Sequence, residues 1–198
     1  MDIQIELEKA LGKDKAKDVW DDPVPIIKED TSIQAFISDE IGAPYTYDKL
    51  CYTLETAKDE DTVTLHMNTG GGYIDSAFKI IASIKRSPAK VVARLTGTVA
   101  SAGTIIALSC DELEVEDFTS FMIHNYSGGA GGKGHEIIDY VNFSDKNITT
   151  TFKKLYSGFL TPRELTAVIK GKDMWMGTEE VQKRWSKMKE TTNENTNT

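Results

Sequence analysis

Twice in succession this chain runs from a β-branched apolar segment through a glycine-rich turn into an apolar helix. The first unit is Thr62-Val63-Thr64-Leu65-His66-Met67, then Asn68-Thr69-Gly70-Gly71-Gly72, then apolar residues at Ile74, Ala77, Phe78, Ile81 and Ile84, closed by Pro88. The second is Lys90-Val91-Val92-Ala93-Arg94-Leu95, then Gly97-Thr98-Val99-Ala100-Ser101-Ala102-Gly103, then Thr104-Ile105-Ile106-Ala107-Leu108. Alternation with period two predicts a strand, and recurrence every three or four residues predicts a helix. Strands alternating with helices in this way predict an α/β fold.

The remainder follows the same rhythm. Ser32-Ile33-Gln34-Ala35-Phe36-Ile37 reads as the first strand of the compact domain, and Asp48 to Lys58 as a helix. Leu113-Glu114-Val115 and Phe121-Met122-Ile123 read as short strands. A mobile glycine segment, Ser127 to Gly134, leads into a long helix from about Glu136 to Phe159, with Ile137, Ile138, Val141, Ile148, Phe152 and Leu155 among its apolar positions. Thr161-Pro162-Arg163-Glu164 is a capping box with proline at the first helical position. Asp173-Met174-Trp175-Met176 reads as a strand, and Thr178-Glu179-Glu180 opens a last helix. Residues 1–30 read as a charged arm, 31–183 as the domain, and 184–198 as a polar, disordered tail.

Composition narrows the function classes. A length of 198 residues fits one domain with a full core. A formal charge of −8 argues against nucleic acid as the main partner. No apolar run is long enough to span a bilayer, and the acidic N-terminus lacks the apolar core of a secretory signal, so a cytoplasmic location is expected. The two cysteines, Cys51 and Cys110, have no metal-like spacing and read as buried thiols. Neither a CxxC, an HExxH nor a Walker loop occurs, so no metal and no cofactor is expected.

Acyl transfer by a serine needs a nucleophile, a base, an acid that orients the base, and donors for the oxyanion. Ser101 stands at a strand-to-helix junction, where a hydroxyl meets free backbone N–H groups and the helix dipole. On that segment alone, the commoner job of such a serine is an N-cap. His124 ends an apolar strand; of the other two histidines, His66 lies inside a strand and His135 follows the glycine run. Asp173 precedes an apolar strand, where a turn residue is the plain alternative. Gly70-Gly71-Gly72 could cradle a phosphate, make a tight turn, or supply an oxyanion N–H.

Taken in order, these segments resemble the Clp protease proteolytic-subunit (ClpP) family of self-compartmentalising serine peptidases. Family members carry Asn-Ser-Pro-Gly-Gly, Gly-x-Ala-Ala-Ser-Met-Gly, Met-Ile-His, and Arg-Asp-Arg-aromatic followed by Ala-Glu-Glu. This chain has Asn68 to Gly72, Gly97 to Gly103, Met122-Ile123-His124, and Lys172-Asp173-Met174-Trp175 with Thr178-Glu179-Glu180. The resemblance implies a Clp/crotonase-type spiral of strand–strand–helix repeats with a protruding handle helix. It implies Ser101 as nucleophile, His124 as base and Asp173 as acid, with the N–H groups of Gly71 and Ala102 as oxyanion hole. Gly71, Gly72, Asn125, Tyr126 and Ser127 would hold an extended polypeptide by strand addition. It further implies homo-oligomeric rings, stacked as heptamers through the long helix, and an AAA+ ATPase unfoldase as partner.

The departures mark a divergent member, of the kind a phage could encode. Gly70 replaces the proline of the first loop, and Asn125-Tyr126 replaces a glutamine-proline pair. Lys172 and Met174 replace the arginines that flank the acid, and Arg184-Trp185-Ser186-Lys187 stands where the family closes with Tyr-Gly-Leu-Ile-Asp. Three other readings share parts of this evidence. One is a crotonase-type acyl-CoA enzyme, which has no need of all three triad residues. Another is a ring subunit without activity. The last is a stand-alone assembly-related protease, such as a phage head-maturation enzyme.

Overall fold

The computed structural model of the chain describes residues 22–196, with side chains through Thr191. Seven strands form one sheet, and six helices accompany it. In chain order these are β1 (Ile26–Glu29), β2 (Ser32–Ile41), α1 (Asp48–Thr56), β3 (Thr62–Gly72), α2 (Ile74–Arg86), β4 (Lys90–Ala100) and α3 (Ala102–Ala107). There follow β5 (Glu112–Val115), β6 (Ser120–Ile123), α4 (Gly134–Leu155), α5 (Pro162–Ile169), β7 (Met174–Gly177) and α6 (Thr178–Thr196). The α/β architecture expected from the strand and helix rhythm is the one observed.

The sheet order is β1-β2-β3-β4-β6-β7, with β5 also paired to β4. β5 and β6 share one edge of β4: Val92 to Leu95 pair with Glu112 to Val115, and Thr98 to Ala100 pair with Ser120 to Met122. The pairs among β2, β3, β4, β5 and β6 are parallel, while β1 and β7 add antiparallel edges. Alternation puts Ile33, Ala35 and Ile37 beside Val63, Leu65, Met67 and Val91, Ala93, Leu95 in the core, all buried. Helix α2 covers this core with Ala77, Ile80, Ile81 and Ile84, and α3 adds the buried Ile105 and Ile106.

β3 and β4 are longer than their side chains announce. β3 continues through Gly70, Gly71 and Gly72 because Glu40 and Ile41 of β2 pair with Gly71 and Gly72. A Cβ on Gly72 would collide with the Ile41 carbonyl, so close strand pairing there needs glycine. β4 likewise runs to Ala100, directly before Ser101, and the Asn68 side chain accepts from the Thr98 N–H at 3.2 Å to hold the bend at Gly97. Both glycine-rich stretches therefore lie at the C-terminal ends of two neighbouring parallel strands.

Three expectations change. Ile26 to Glu29, read as part of the arm, pair with β2; residues 1–21 lie outside the described residues. Residues 184–196, read as disordered tail, continue α6, because Arg184, Trp185 and Met188 find partners on the body of the domain. On α4 the roles of the apolar residues divide. Phe152 is buried edge-on against Tyr156, and Ile148 packs half-buried on the core, so neither belongs to an outer face. The exposed apolar residues are Ile138, Tyr140, Val141 and Phe143, and the helix stands out from the domain as a handle.

Candidate active site

The strand β4 ends at Ala100 and helix α3 begins at Ala102, leaving Ser101 alone at the corner. Its backbone takes φ 53° and ψ −124°, a strained conformation that L side chains seldom adopt. Such strain at a strand-to-helix turn lifts a hydroxyl clear of both elements, as in a nucleophile elbow. Three contacts hold the corner in place. The Ser101 N–H donates to the Met122 carbonyl at 2.9 Å, and its carbonyl accepts from Thr104 N and from Thr104 Oγ1 at 2.7 Å. The single Thr104 hydroxyl proton is committed there, so the buried Tyr156 hydroxyl is the donor in its 2.8 Å bond to Thr104 Oγ1.

Ser101 occupies the N-cap position of α3, yet its side chain makes no cap hydrogen bond. It lies 2.7 Å from His124 Nε2 instead. That distance separates the two readings of the residue, because a capping serine spends its oxygen on the helix. His124 follows β6, which pairs beside the end of β4 and so delivers the imidazole to the elbow. The other histidines stand elsewhere. His66 is on the far face of the sheet, stacked on Phe36 and 2.6 Å from Gln34, with burial lowering its pKa; His135 is exposed at the start of α4.

Asp173 is exposed and lies one residue before β7. The β6–β7 register ends at Ile123↔Met174, and one further step sets His124 opposite Asp173. Among the described residues no hydrogen bond joins the two side chains. Gly71, at φ 98°, passes so close to the elbow that a Cβ there would lie 2.5 Å from Ser101 Cβ and 3.1 Å from Ala102 N. Its N–H points to Thr69 Oγ1 at 3.1 Å. The two expected oxyanion donors are thus neighbours, with the Thr69 hydroxyl occupying one.

A groove of about 600 Å³ opens beside Ser101. Gly72, Tyr126 and Ser127 line it, with Ile105, Ile148 and Tyr156 forming an apolar wall. Asn125 does not line it; its Nδ2 donates to the Ile169 carbonyl at 3.0 Å. Thr69, Thr104 and Tyr156 escaped the sequence reading, since each acts through a long-range or side-chain-specific bond with no local periodicity, and Asn125, expected along the substrate, spends its side chain on Ile169 instead. Both cysteines are free and buried, and burial raises both thiol pKa values. Among the described residues no group of histidine, cysteine and carboxylate side chains is placed to hold a metal, and no helix is long and apolar enough to cross a membrane.

The model of the Clp protease family matches residues 31–184. The chain belongs to this family. It is similar to the ATP-dependent Clp protease proteolytic subunit 2 of Pseudomonas aeruginosa, at 28% identity over 128 residues, which is 61% of each chain. It is also similar to the ATP-dependent Clp protease proteolytic subunit 3 of Rhizobium meliloti, at 29% identity over 140 residues, 67% of this chain and 70% of the relative. The match thus spans about three-fifths of the first relative and somewhat more of the second. Residues 31–184, which the family model matches, contain the Ser101 elbow, His124, Asp173 and the handle α4 of this Clp-family chain.

Proposed function

We propose that this Clp-family chain is a serine endopeptidase that cuts polypeptides through an acyl-enzyme. The observation that carries the reading is the 2.7 Å approach of Ser101 Oγ to His124 Nε2 on a strained elbow beside an open groove. His124 takes the hydroxyl proton as Ser101 Oγ attacks the peptide carbonyl, and returns it to the leaving amine. Water, deprotonated by the same imidazole, then releases the acyl group and restores Ser101. The N–H groups of Gly71 and Ala102 receive the developing oxyanion, which takes over the Gly71 N–H now donated to Thr69. Asp173, opposite His124 in register, orients the imidazole and pairs with its charged form. An extended substrate lies along Gly72, Tyr126 and Ser127, with a side chain against Ile105 and Ile148.

The exposed apolar residues of α4 support assembly into rings stacked through the handle, with active sites facing an enclosed chamber. In that assembly short peptides enter unaided, and folded proteins require an AAA+ unfoldase. A second reading, a ring subunit without activity, draws on the unmade His124–Asp173 bond and the occupied Gly71 N–H. Cleavage of a fluorogenic peptide decides between them: wild type cleaves and Ser101→Ala, equally folded, does not. A wild-type assembly that is intact and inert supports the scaffold.

A further inference from the structure

His124 and Asp173 stand one step past Ile123↔Met174, the last pair of their ladder, and among the described residues no hydrogen bond joins their side chains. Asn125 supplies the missing tie. Its Nδ2 donates to the Ile169 carbonyl at 3.0 Å, and its Oδ1 accepts from the Tyr126 N–H at 3.0 Å. Ile169 is the last residue of α5, and carbonyls in a final helical turn have no partner inside the helix. The amides of Lys170, Gly171 and Lys172 turn back to carbonyls of residues 166, 167 and 168, with Gly171 at φ 98° making the reversal. Those bonds close the turn on itself and leave the Ile169 carbonyl for Asn125. The end of α5, from which the short segment carrying Asp173 departs, is thereby fastened to the residue after His124, while the far end of that segment runs into β7.

We infer that Asn125 is a positioning residue that sets the separation of His124 and Asp173 and acts on the reaction through the acid. Both polar groups of its side-chain amide are spent within the protein, and it is absent from the groove lining, so the side chain acts on the fold of this segment. An apolar or shorter side chain at 125 would leave the Ile169 carbonyl without this donor and let the turn 170–173 move relative to β6. Displacements of about 1 Å in such a constellation cost roughly a hundredfold in rate.

The inference rests on the peptidase reading, and a double-mutant cycle keeps the two apart. The measurement is the rate at which a fluorophosphonate labels Ser101 in the full-length assembly, across pH, for wild type, Asn125→Ala, Asp173→Asn and the double variant. Asn125→Ala should slow labelling about ten- to hundredfold. It should move the acid limb of the profile to lower pH, as Asp173→Asn does, because the imidazolium then has less negative charge beside it to stabilise it. The double variant should be no slower than Asp173→Asn alone. Multiplicative losses, or an unmoved pH profile, overturn the inference and leave the peptidase reading standing. Wild type that is never labelled at Ser101 removes both. Should Asn125→Ala fail to fold, Asn125→Ser, polar but too short to reach Ile169, replaces it in the cycle.

Discussion

At the scale of single residues, the site depends on side chains that do very different physical work within a few ångströms. Ser101 stores backbone strain, and Gly71 provides the close approach that a Cβ would block. Gly71→Ala adds a methyl 2.5 Å from Ser101 Cβ at a positive φ, so it should cut peptide cleavage at least about a hundredfold. Loss of proper folding by circular dichroism, rather than of rate alone, would point to a structural cause. Asp173→Asn should lower turnover by about four orders of magnitude if its carboxylate fixes the imidazole tautomer, with the thermal midpoint little changed. Near-full activity in that variant would make the site a Ser101–His124 dyad. Of these residues, Ser101 and His124 were legible because each stands where a strand ends, and Gly71 because it sits in a glycine run between an apolar strand and a helix. Tyr156 and the tie made by Asn125 were not, because a side-chain bond to Thr104 or to Ile169 leaves no mark on neighbouring sequence.

At the scale of elements, legibility follows the source of stability. β3 and α2 were readable because burial imposes period two on one and helical spacing on the other. β1 and the far ends of β3 and β4 were not, because backbone pairing holds them where the residues carry no sustained period-two apolar pattern. The extension of α6 depends on Arg184, whose guanidinium bonds both Glu164 and Glu180 and the Phe159 carbonyl. That guanidinium holds the Glu164 carboxyl down at about 2, against an ordinary 4.5. A depressed carboxylate contributes stability that is complete above its unfolded pKa and lost as pH falls through the folded one. Arg184→Met should therefore lower the thermal midpoint at neutral pH, and its gap from wild type should close between pH 4.5 and about 2. A gap that stayed constant across that window would assign Arg184 a packing role instead. On the handle, Ile138→Glu with Phe143→Glu should dissociate the assembly while leaving the subunit folded, whereas a charge at the buried Phe152 should unfold it. Sedimentation velocity beside circular dichroism separates the outcomes.

At the scale of the whole molecule, the parallel strands bring two glycine-rich strand ends side by side at the same end of the sheet, and β6 and β7 bring the base and the acid to meet them. Helix α4 contributes Tyr140, Val141, Ile148 and Phe152 to the wall of the groove beside Ser101, so the surface that would join subunits and the surface that would hold substrate share one helix. Assembly and activity should accordingly be lost together in the handle variant. The most direct test of the account is the intact mass of the native assembly after treatment with a fluorophosphonate, with the adduct mapped by peptide fragmentation. One adduct per subunit on Ser101, absent from a folded Ser101→Ala variant, is the predicted result. An adduct that persists in Ser101→Ala, or none on a folded wild-type assembly, would contradict it.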